Sequence, residues 1–118
     1  MRAALSKAVS RISPWGLARV HGDSMLPTLR PGDLLVVRHG SAGSRVRAGS
    51  LVIGRFIDGT IAVKRATESR RTVTGSLGWW LLSDNPESGV DSRHRGPVPD
   101  DAILATVHGR LWPRPARL

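Results

Sequence analysis

Residues 50–66, SLVIGRFIDGTIAVKRA, carry the clearest signal for the fold. Apolar and β-branched residues lie on both sides of Asp58-Gly59, a dipeptide that favours a tight hairpin turn. The pattern predicts two antiparallel strands, Ser50 to Ile57 and Thr60 to Ala66. A lysine, Lys64, stands inside the second strand.

Further strands are predicted on both sides of this hairpin. Short runs of β-favouring residues alternate with turn residues such as Pro31-Gly32, and helical periodicity is weak after Pro14. These other predicted strands are Leu17 to Val20, Asp33 to Arg38, Arg71 to Thr74, Trp79 to Leu82 and Ile103 to Leu111. Since 118 residues is an ordinary length for one domain, we expect a mainly β, single small domain over residues 16–118.

The composition narrows the possible functions. The net charge is +9, which favours anionic partners. The arginines are nevertheless scattered from Arg2 to Arg117 rather than gathered on one predicted helix, so we expect no nucleic-acid partner. The absence of cysteine excludes disulfides, thiolate zinc sites and cysteine nucleophiles. Because the four histidines lack close metal-ligand spacing, we expect neither a metal nor another cofactor.

The N-terminal segment, residues 1–15, is predicted to contain a short amphipathic helix with Leu5, Val9 and Ile12 on one face. Packing against the domain is its expected role, and its basic character leaves membrane-surface contact open. The longest apolar runs have only a few residues, far below the roughly 20 needed to cross a bilayer. We therefore expect a cytoplasmic protein, with peripheral membrane contact as the alternative.

A first candidate site is the run Gly22-Asp23-Ser24-Met25-Leu26-Pro27-Thr28-Leu29, directly after a predicted strand. A nucleophilic serine needs an exposed hydroxyl at a constrained turn, with backbone N–H groups nearby for the oxyanion. Gly22 and Pro27 favour such a turn. On these residues alone, an N-cap of a short helix, with Asp23 or Ser24 as the cap, is the more frequent interpretation.

Lys64 is a second candidate, because the chain otherwise uses arginine for every cation except Lys7. On a strand, Lys64 points to the same side as Ala62 and Ala66. If that side is apolar, desolvation lowers the lysine pKa from about 10.4 toward the range of a general base. Arginine cannot take this role, since its guanidinium keeps its proton. The alternative is a lysine stem lying along the sheet with its amine in water.

A third candidate region is Asp84 to Asp101, which is rich in Pro, Gly, Ser and Asp. So long a segment with little regular structure is typical of a functional or supporting loop; a second loop is predicted at Ser41 to Gly49. Asp91 and Arg93 are spaced for a charge-assisted pair that clamps the loop. Asp84 and Asn85 are placed to cap neighbouring backbone, so structural support is the default role of this region.

In this order, the three regions resemble the type I signal peptidases and their relatives, serine peptidases with a Ser-Lys dyad. The family's nucleophile box resembles Gly22 to Leu29, and its next box resembles Pro31-Gly32-Asp33 with Leu35-Val36-Val37. Its general-base box matches Val63-Lys64-Arg65. Its last box matches Asp84-Asn85, Asp91-Ser92-Arg93, Gly96 and Val98-Pro99. The likeness covers about Val20 to Pro113 and implies a signal-peptidase-like or LexA-like β domain.

The resemblance implies that Ser24 is the nucleophile, with its main-chain N–H in the oxyanion hole, and that Lys64 is the general base. It implies supporting roles for Gly22, Asp23, Met25, Pro27, Asp84, Asn85, Ser88, Asp91, Ser92 and Arg93. Within this set, Asp91 and Arg93 hold the lysine-bearing region in place.

Three positions depart from the family's pattern. Gly22 stands where some relatives have a serine that donates to the oxyanion, so the second donor is in question. Ser83 stands where the family usually has glycine. Gly89 stands where the family has serine, and Ser88 comes one position early. A supporting hydroxyl near Lys64 is therefore expected to be missing or shifted.

The short chain without a predicted anchor resembles the maturation peptidases of nickel-type superoxide dismutase, as do the runs Trp79 to Asn85 and Leu111-Trp112-Pro113. This likeness implies a precursor protein as substrate, from which an N-terminal pro-segment is removed. The first alternative is signal peptidase I-type processing of secreted preproteins.

Two other site or function classes fit the sequence less well. A self-cleaving repressor of the LexA-like kind usually carries a DNA-binding helix-turn-helix, and the roughly 20 residues before Ser24 are too few for that module. A Ser-His-Asp triad using His21, His94 or His108 lacks a Gly-x-Ser-x-Gly elbow around Ser24.

Overall fold

The structure of the chain, a computed structural model, describes residues 14–40 and 46–118. The predicted N-terminal helix falls within residues 1–13 and so lies outside the described residues, as does the 41–45 part of the predicted Ser41 to Gly49 loop. The first strand begins at Trp15, the last residue of the predicted N-terminal segment.

Eight strands dominate the described residues, and the predicted mainly β fold is confirmed. They are β1 Trp15–Arg19, β2 Leu34–His39, β3 Leu51–Arg55, β4 Ile61–Arg71, β5 Leu77–Leu82, β6 Val98–Pro99, β7 Ile103–Trp112 and β8 Ala116–Arg117. The helical elements in residues 14–40 and 46–118 are one turn of α-helix, α1 Ser92–Arg95, and a 3-10 turn at Asp100–Ala102. No helix in this part of the chain is long and apolar enough to span a membrane.

The strands form a single antiparallel sheet in the order β1-β2-β7-β3-β4-β5-β6, with β8 paired to β7. β3 and β4 make the predicted hairpin, in which Val52 pairs with Lys64. Its turn is closed by hydrogen bonds between Phe56 and Thr60 and from the Gly59 N–H to the Phe56 carbonyl. The sheet thus carries Lys64 in one of its inner strands.

Two clusters of buried side chains form the core. The first includes Met25 and Leu29 of the segment Gly22 to Leu29, called the nucleophile segment below after the role predicted for Ser24. This cluster consists of Val20, Met25, Leu29, Leu35, Val37, Leu51, Ala105 and Val107. The second lies over the other half of the sheet and consists of Val46, Val52, Phe56, Ala66, Leu81, Val98 and Ile103. Burying apolar surface stabilises by about 25 cal/mol per Å², so both clusters hold the site's elements firmly in place.

Two parts of the sequence-based prediction were wrong. The separate strand at Arg71 to Thr74 does not form: β4 continues to Arg71, and a turn follows in which the Thr72 N–H donates to the Ser76 carbonyl. Gly75 takes the positive φ of 85° that this turn needs. The Asp84 to Asp101 segment also holds more regular structure than expected, since α1 and β6 lie within it.

Candidate active site

Ser24 lies in the turn segment between β1 and β2. Two buried side chains of the same segment anchor it in the core. Met25 and Leu29 are 2% and 0% exposed and pack in the first core cluster. Gly22, with φ 73°, makes the bend before the serine, and Pro27 follows a cis Leu26–Pro27 peptide bond. Ser24 itself is half-buried and lines a cleft. The segment forms the constrained turn predicted for it, and no regular helix begins at Ser24.

The Lys64 side chain extends from β4 to Ser24 without reaching water. It is 2% exposed, and its Nζ donates to Ser24 Oγ at 3.0 Å and to Ser83 Oγ at 2.9 Å. Burial lowers the Lys64 pKa from its ordinary value; the Asp91 carboxylate opposes this shift and the Arg93 guanidinium adds to it. The predicted lowering of this pKa is confirmed, and the alternative of a solvated lysine head is excluded.

Asp91 organises the loop that faces Lys64. Its carboxylate is fully buried and accepts a bidentate pair of hydrogen bonds from the Arg93 guanidinium, both at 3.0 Å. It also accepts the Ser83 N–H at 2.9 Å and caps α1 through the Arg93 N–H. Burial acts to raise the Asp91 pKa, but these hydrogen bonds outweigh it and the pKa lies below its ordinary value. The predicted Asp91–Arg93 clamp is therefore present.

Ser92 attaches the same loop to the sheet. Its hydroxyl oxygen accepts the Leu81 N–H of β5 at 2.8 Å, and both residues are buried. Ser92 thus fixes the loop to β5, and Asp91 of the same loop accepts the Ser83 N–H. Ser83, which follows the end of β5, therefore has little freedom to move.

Asp84 connects three parts of the site. Its carboxylate accepts the Thr28 hydroxyl at 2.6 Å and a bidentate pair from the Arg65 guanidinium, with both distances 2.8 Å. The hydrogen bond from Arg65 is the main cause that lowers the Asp84 pKa. The prediction that Asp84 caps backbone was wrong, because its oxygens are taken by these two side chains. Asp84 instead joins the nucleophile segment to β4.

A second connection to the nucleophile segment comes from Asn85 and Ser88, which bind Ser24 and Asp23. The Asn85 side chain caps the Glu87 N–H, as predicted, while its own backbone N–H donates to the Ser24 carbonyl at 2.9 Å. Ser88 Oγ donates to Asp23 Oδ1 at 2.5 Å. Ser88 therefore serves the segment that carries Ser24 and does not reach Lys64.

Three supporting residues were not among those predicted from the sequence: Thr28, Arg65 and Ser83. Thr28 and Arg65 stand inside the matched boxes, so their position was a usable signal. Ser83 was noted only as a departure from the family's glycine. Three histidines were considered for a triad. His21 lines the same cleft as Ser24, but within the described residues the side chain that hydrogen-bonds Ser24 Oγ is Lys64. His94 accepts the Asp91 N–H, and His108 contacts Thr106.

A cleft of about 220 Å³ opens beside Ser24. Its walls are mostly apolar and come from the start of β4 and the end of β1, together with Val20, Met25, Leu35 and Ile53. β5 pairs with β4 only from Arg65 onward, so Ile61 to Lys64 have one edge that β5 does not cover. β1 is the end strand of the sheet order. An extended chain therefore finds strand edges on both sides of this cleft.

Comparison with known proteins gives consistent matches. The Peptidase S24-like family matches residues 4–106 of this chain. The mitochondrial inner membrane protease subunit 1 of Schizosaccharomyces pombe is 35% identical over an alignment 112 positions long, and the alignment covers 80% of this chain and 71% of that protein. The mitochondrial ATP-independent inner membrane protease subunit 1a of Arabidopsis thaliana is 30% identical over an alignment 123 positions long, and the alignment covers 80% of this chain and 68% of that protein.

Proposed function

Because this chain is a peptidase that belongs to the Peptidase S24-like family, we propose that it is a serine endopeptidase with a Ser-Lys dyad. Ser24 is the nucleophile and Lys64 is the general base. The observation that carries the proposal is the 3.0 Å contact between Ser24 Oγ and the Nζ of a buried lysine. Serine needs such an adjacent base, since its hydroxyl is a weak nucleophile at its own pKa.

The proposed reaction begins with Lys64 neutral. Ser24 Oγ attacks the carbonyl carbon of the scissile peptide while its proton passes to Lys64 Nζ, and a tetrahedral oxyanion forms. We propose that the Ser24 N–H donates to that oxyanion; Gly22 has no hydroxyl that could serve as a second donor. When the C–N bond breaks, Lys64 gives the proton to the leaving amine. Water then attacks the carbonyl carbon of the acyl-serine while Lys64 takes one of its protons. The bond from that carbon to Ser24 Oγ breaks, Lys64 returns the proton to Ser24 Oγ, and the acid is released.

The substrate is proposed to be a precursor protein that binds in an extended conformation. Main-chain pairing with the edges of β1 and β4 beside the cleft, which no other strand of the described residues pairs, would give affinity. Side chains alternating into the cleft would give selection. Ala18 and Ala62 line this cleft together with Ser24. The small volume, about 220 Å³, favours small side chains next to the scissile bond.

Removal of an N-terminal pro-segment, as in maturation of nickel-type superoxide dismutase, is the reaction that we propose. It is supported by the likeness of Trp79 to Asn85 and of Leu111-Trp112-Pro113 to that subgroup. A cytoplasmic location, with peripheral membrane contact as the alternative, belongs to the same proposal. Signal peptidase I-type processing of secreted preproteins is the second candidate, and the similarity to two inner membrane proteases favours it.

The test compares wild type, Ser24→Ala and, as a matched control, Ser69→Ala, which removes an exposed hydroxyl from β4. Each protein is incubated with a pro-form nickel superoxide dismutase and with a preprotein bearing a signal peptide, and the new N-termini are read by mass spectrometry. We expect wild type and Ser69→Ala to cut the dismutase precursor at one site, and Ser24→Ala to be slower by several orders of magnitude.

Other outcomes discriminate between the candidates. Cleavage of the preprotein alone would favour signal-peptidase-type processing. Release of a fragment of the chain itself, with neither substrate cut, would favour the self-cleaving repressor class. Full activity of folded Ser24→Ala would remove Ser24 as the nucleophile.

A further inference from the structure

The Lys64 amine is held from two sides. Its Nζ atom lies 3.0 Å from Ser24 Oγ and 2.9 Å from Ser83 Oγ. A neutral amine has two N–H donors and one lone pair, and rotation about the Cε–Nζ bond can place the lone pair in any of three staggered positions. An acceptor that takes one N–H selects among these positions. Ser83 Oγ is such an acceptor, and Ser83 does not line the cleft.

The position of Ser83 follows from the sheet register. Arg65 of β4 pairs with Leu82 of β5, and continuing this antiparallel register by one residue sets Ser83 opposite Lys64. Ser83 is buried, and its N–H donates to Asp91 Oδ2 at 2.9 Å. The Asp91 carboxylate is in turn held by Arg93. Ser83 is therefore a rigid acceptor rather than a mobile surface hydroxyl.

A side chain at Gly89 would collide with Ser24. The Gly89 φ is +78°, and a Cβ at this position would lie 2.6 Å from Ser24 Cβ and 3.2 Å from Lys64 Nζ. The neighbouring Ser88 is engaged by Asp23. The second hydroxyl in contact with the lysine amine is therefore that of Ser83, the residue that follows β5.

We propose that Ser83 is the positioning residue of the base, an inference that rests on the proposed function: its Oγ accepts one N–H of Lys64 and turns the amine lone pair toward the Ser24 hydroxyl. When Ser24 Oγ–H gives its proton to Nζ, the new ammonium keeps its hydrogen bond to Ser83 Oγ. Ser83 makes and breaks no covalent bond.

The proposal has a spectroscopic test that needs no substrate. The chain contains only two lysines, Lys7 and Lys64, so protein labelled with [13Cε]lysine gives two resonances, and Lys64→Arg identifies them. The charged groups that act on Lys64 are Asp91, which raises its pKa, and Arg93, which lowers it. The pH at the midpoint of the Lys64 resonance titration, here called the Lys64 midpoint, reports the lysine pKa. Because a hydrogen bond to the ammonium favours the charged form, Ser83→Ala should lower the Lys64 midpoint by about one pH unit.

The kinetic readout separates positioning from folding. Ser83→Ala should lower kcat about 10- to 100-fold with KM changed by less than about twofold, since Ser83 is buried and does not line the cleft. Ser83→Thr restores a hydroxyl and should recover most of kcat and of the midpoint, whereas Ser83→Cys, similar in size but a weak acceptor, should not. Ser69→Ala is the matched control on β4 and should leave both readouts unchanged.

A Lys64 midpoint that stays at the wild-type value in folded Ser83→Ala, or Ser83→Cys with wild-type kcat, would overturn the proposal. If Ser83→Ala does not fold, Ser83→Thr and Ser83→Cys still make the comparison. Failure of the proposed function gives a different result. If the Lys64 midpoint falls in Ser83→Ala but the wild-type protein cuts no peptide, the Ser83–Lys64 hydrogen bond is supported and the peptidase activity can no longer be assigned to this dyad.

Discussion

At the scale of single residues, the burial of Lys64 determines both its own pKa and the role of the hydroxyls in contact with it. An ammonium that is 2% exposed loses most of its hydration, and this loss is the largest cause of its lowered pKa. Ser24 and Ser83 are the hydroxyls in contact with it. A buried lysine without a carboxylate in direct contact is costly for stability, and it is suited to accept a proton.

The pH dependence of activity follows from that environment. Only neutral Lys64 can accept the Ser24 proton, so kcat/KM should rise with pH and level off above a midpoint lower than 10.5, the ordinary lysine value. Lys64→Arg keeps the charge but cannot release a proton at accessible pH, and it should lose at least about a thousandfold in kcat/KM. Initial rates between pH 6 and 10 check this prediction.

Lys64→Met provides the control for that profile, because it fills the slot without a titrating group. It should be as inactive as Lys64→Arg. An arginine variant with measurable activity would show that Lys64 supplies charge rather than a base.

At the scale of elements, the site depends on contacts between β4, the nucleophile segment and the Asp84 loop. Asp84 accepts hydrogen bonds from Thr28 and Arg65, and the Arg65 side chain is 31% exposed, so solvent screens part of the charge. We expect Asp84→Asn to destabilise the fold by about 1 kcal/mol and to lower kcat, because the segment carrying Ser24 loosens. Urea unfolding and steady-state kinetics measure the two effects.

The pH dependence of this effect has a defined sign. Hydrogen bonding lowers the folded-state Asp84 pKa below its ordinary value of 3.8, so its stabilisation is present above that value and is lost as the pH falls through the folded-state pKa. Wild type and Asp84→Asn should therefore converge in stability at low pH. Glu68→Gln, in an exposed pair with Arg70, is the control and should change neither stability nor kcat. A constant difference down to pH 2 would contradict the ionic role of Asp84.

The same elements show what could be predicted from the sequence. The hairpin around Asp58-Gly59 has a local signal, and so has the alternation that buries Lys64. The contact between Lys64 and Ser83 has none, because it depends on the β4–β5 register, which shifts at a bulge between Ala66 and Glu68. Thr28 and Asp84 are 56 residues apart. Such contacts form only when the sheet folds. In the sequence, only the order of the four signal-peptidase-like motifs indicated that the regions of Thr28, Lys64 and Asp84 meet.

At the scale of the whole molecule, the amino-acid composition allows the free-energy cost of burying Lys64 to be measured. The chain has neither tyrosine nor cysteine, so Lys7 and Lys64 are its side chains that titrate between about pH 8 and 11. Since the Lys64 pKa is lower in the folded protein, the unfolded chain binds more protons over this interval, and the free energy of unfolding must rise with pH.

The last prediction compares this rise in two proteins. The free energy of unfolding of wild type should increase from pH 7.5 to 10.5 by about 1.4 kcal/mol for each unit by which folding lowers the lysine pKa. Lys64→Met lacks the group, so its stability should change less and should exceed that of wild type most at the lower pH. Lys7→Arg is the matched control, and it should keep the wild-type slope. Equal slopes in wild type and Lys64→Met, measured by urea unfolding, would mean that the folded protein holds Lys64 charged at no cost, and a charged Lys64 cannot serve Ser24 as a base.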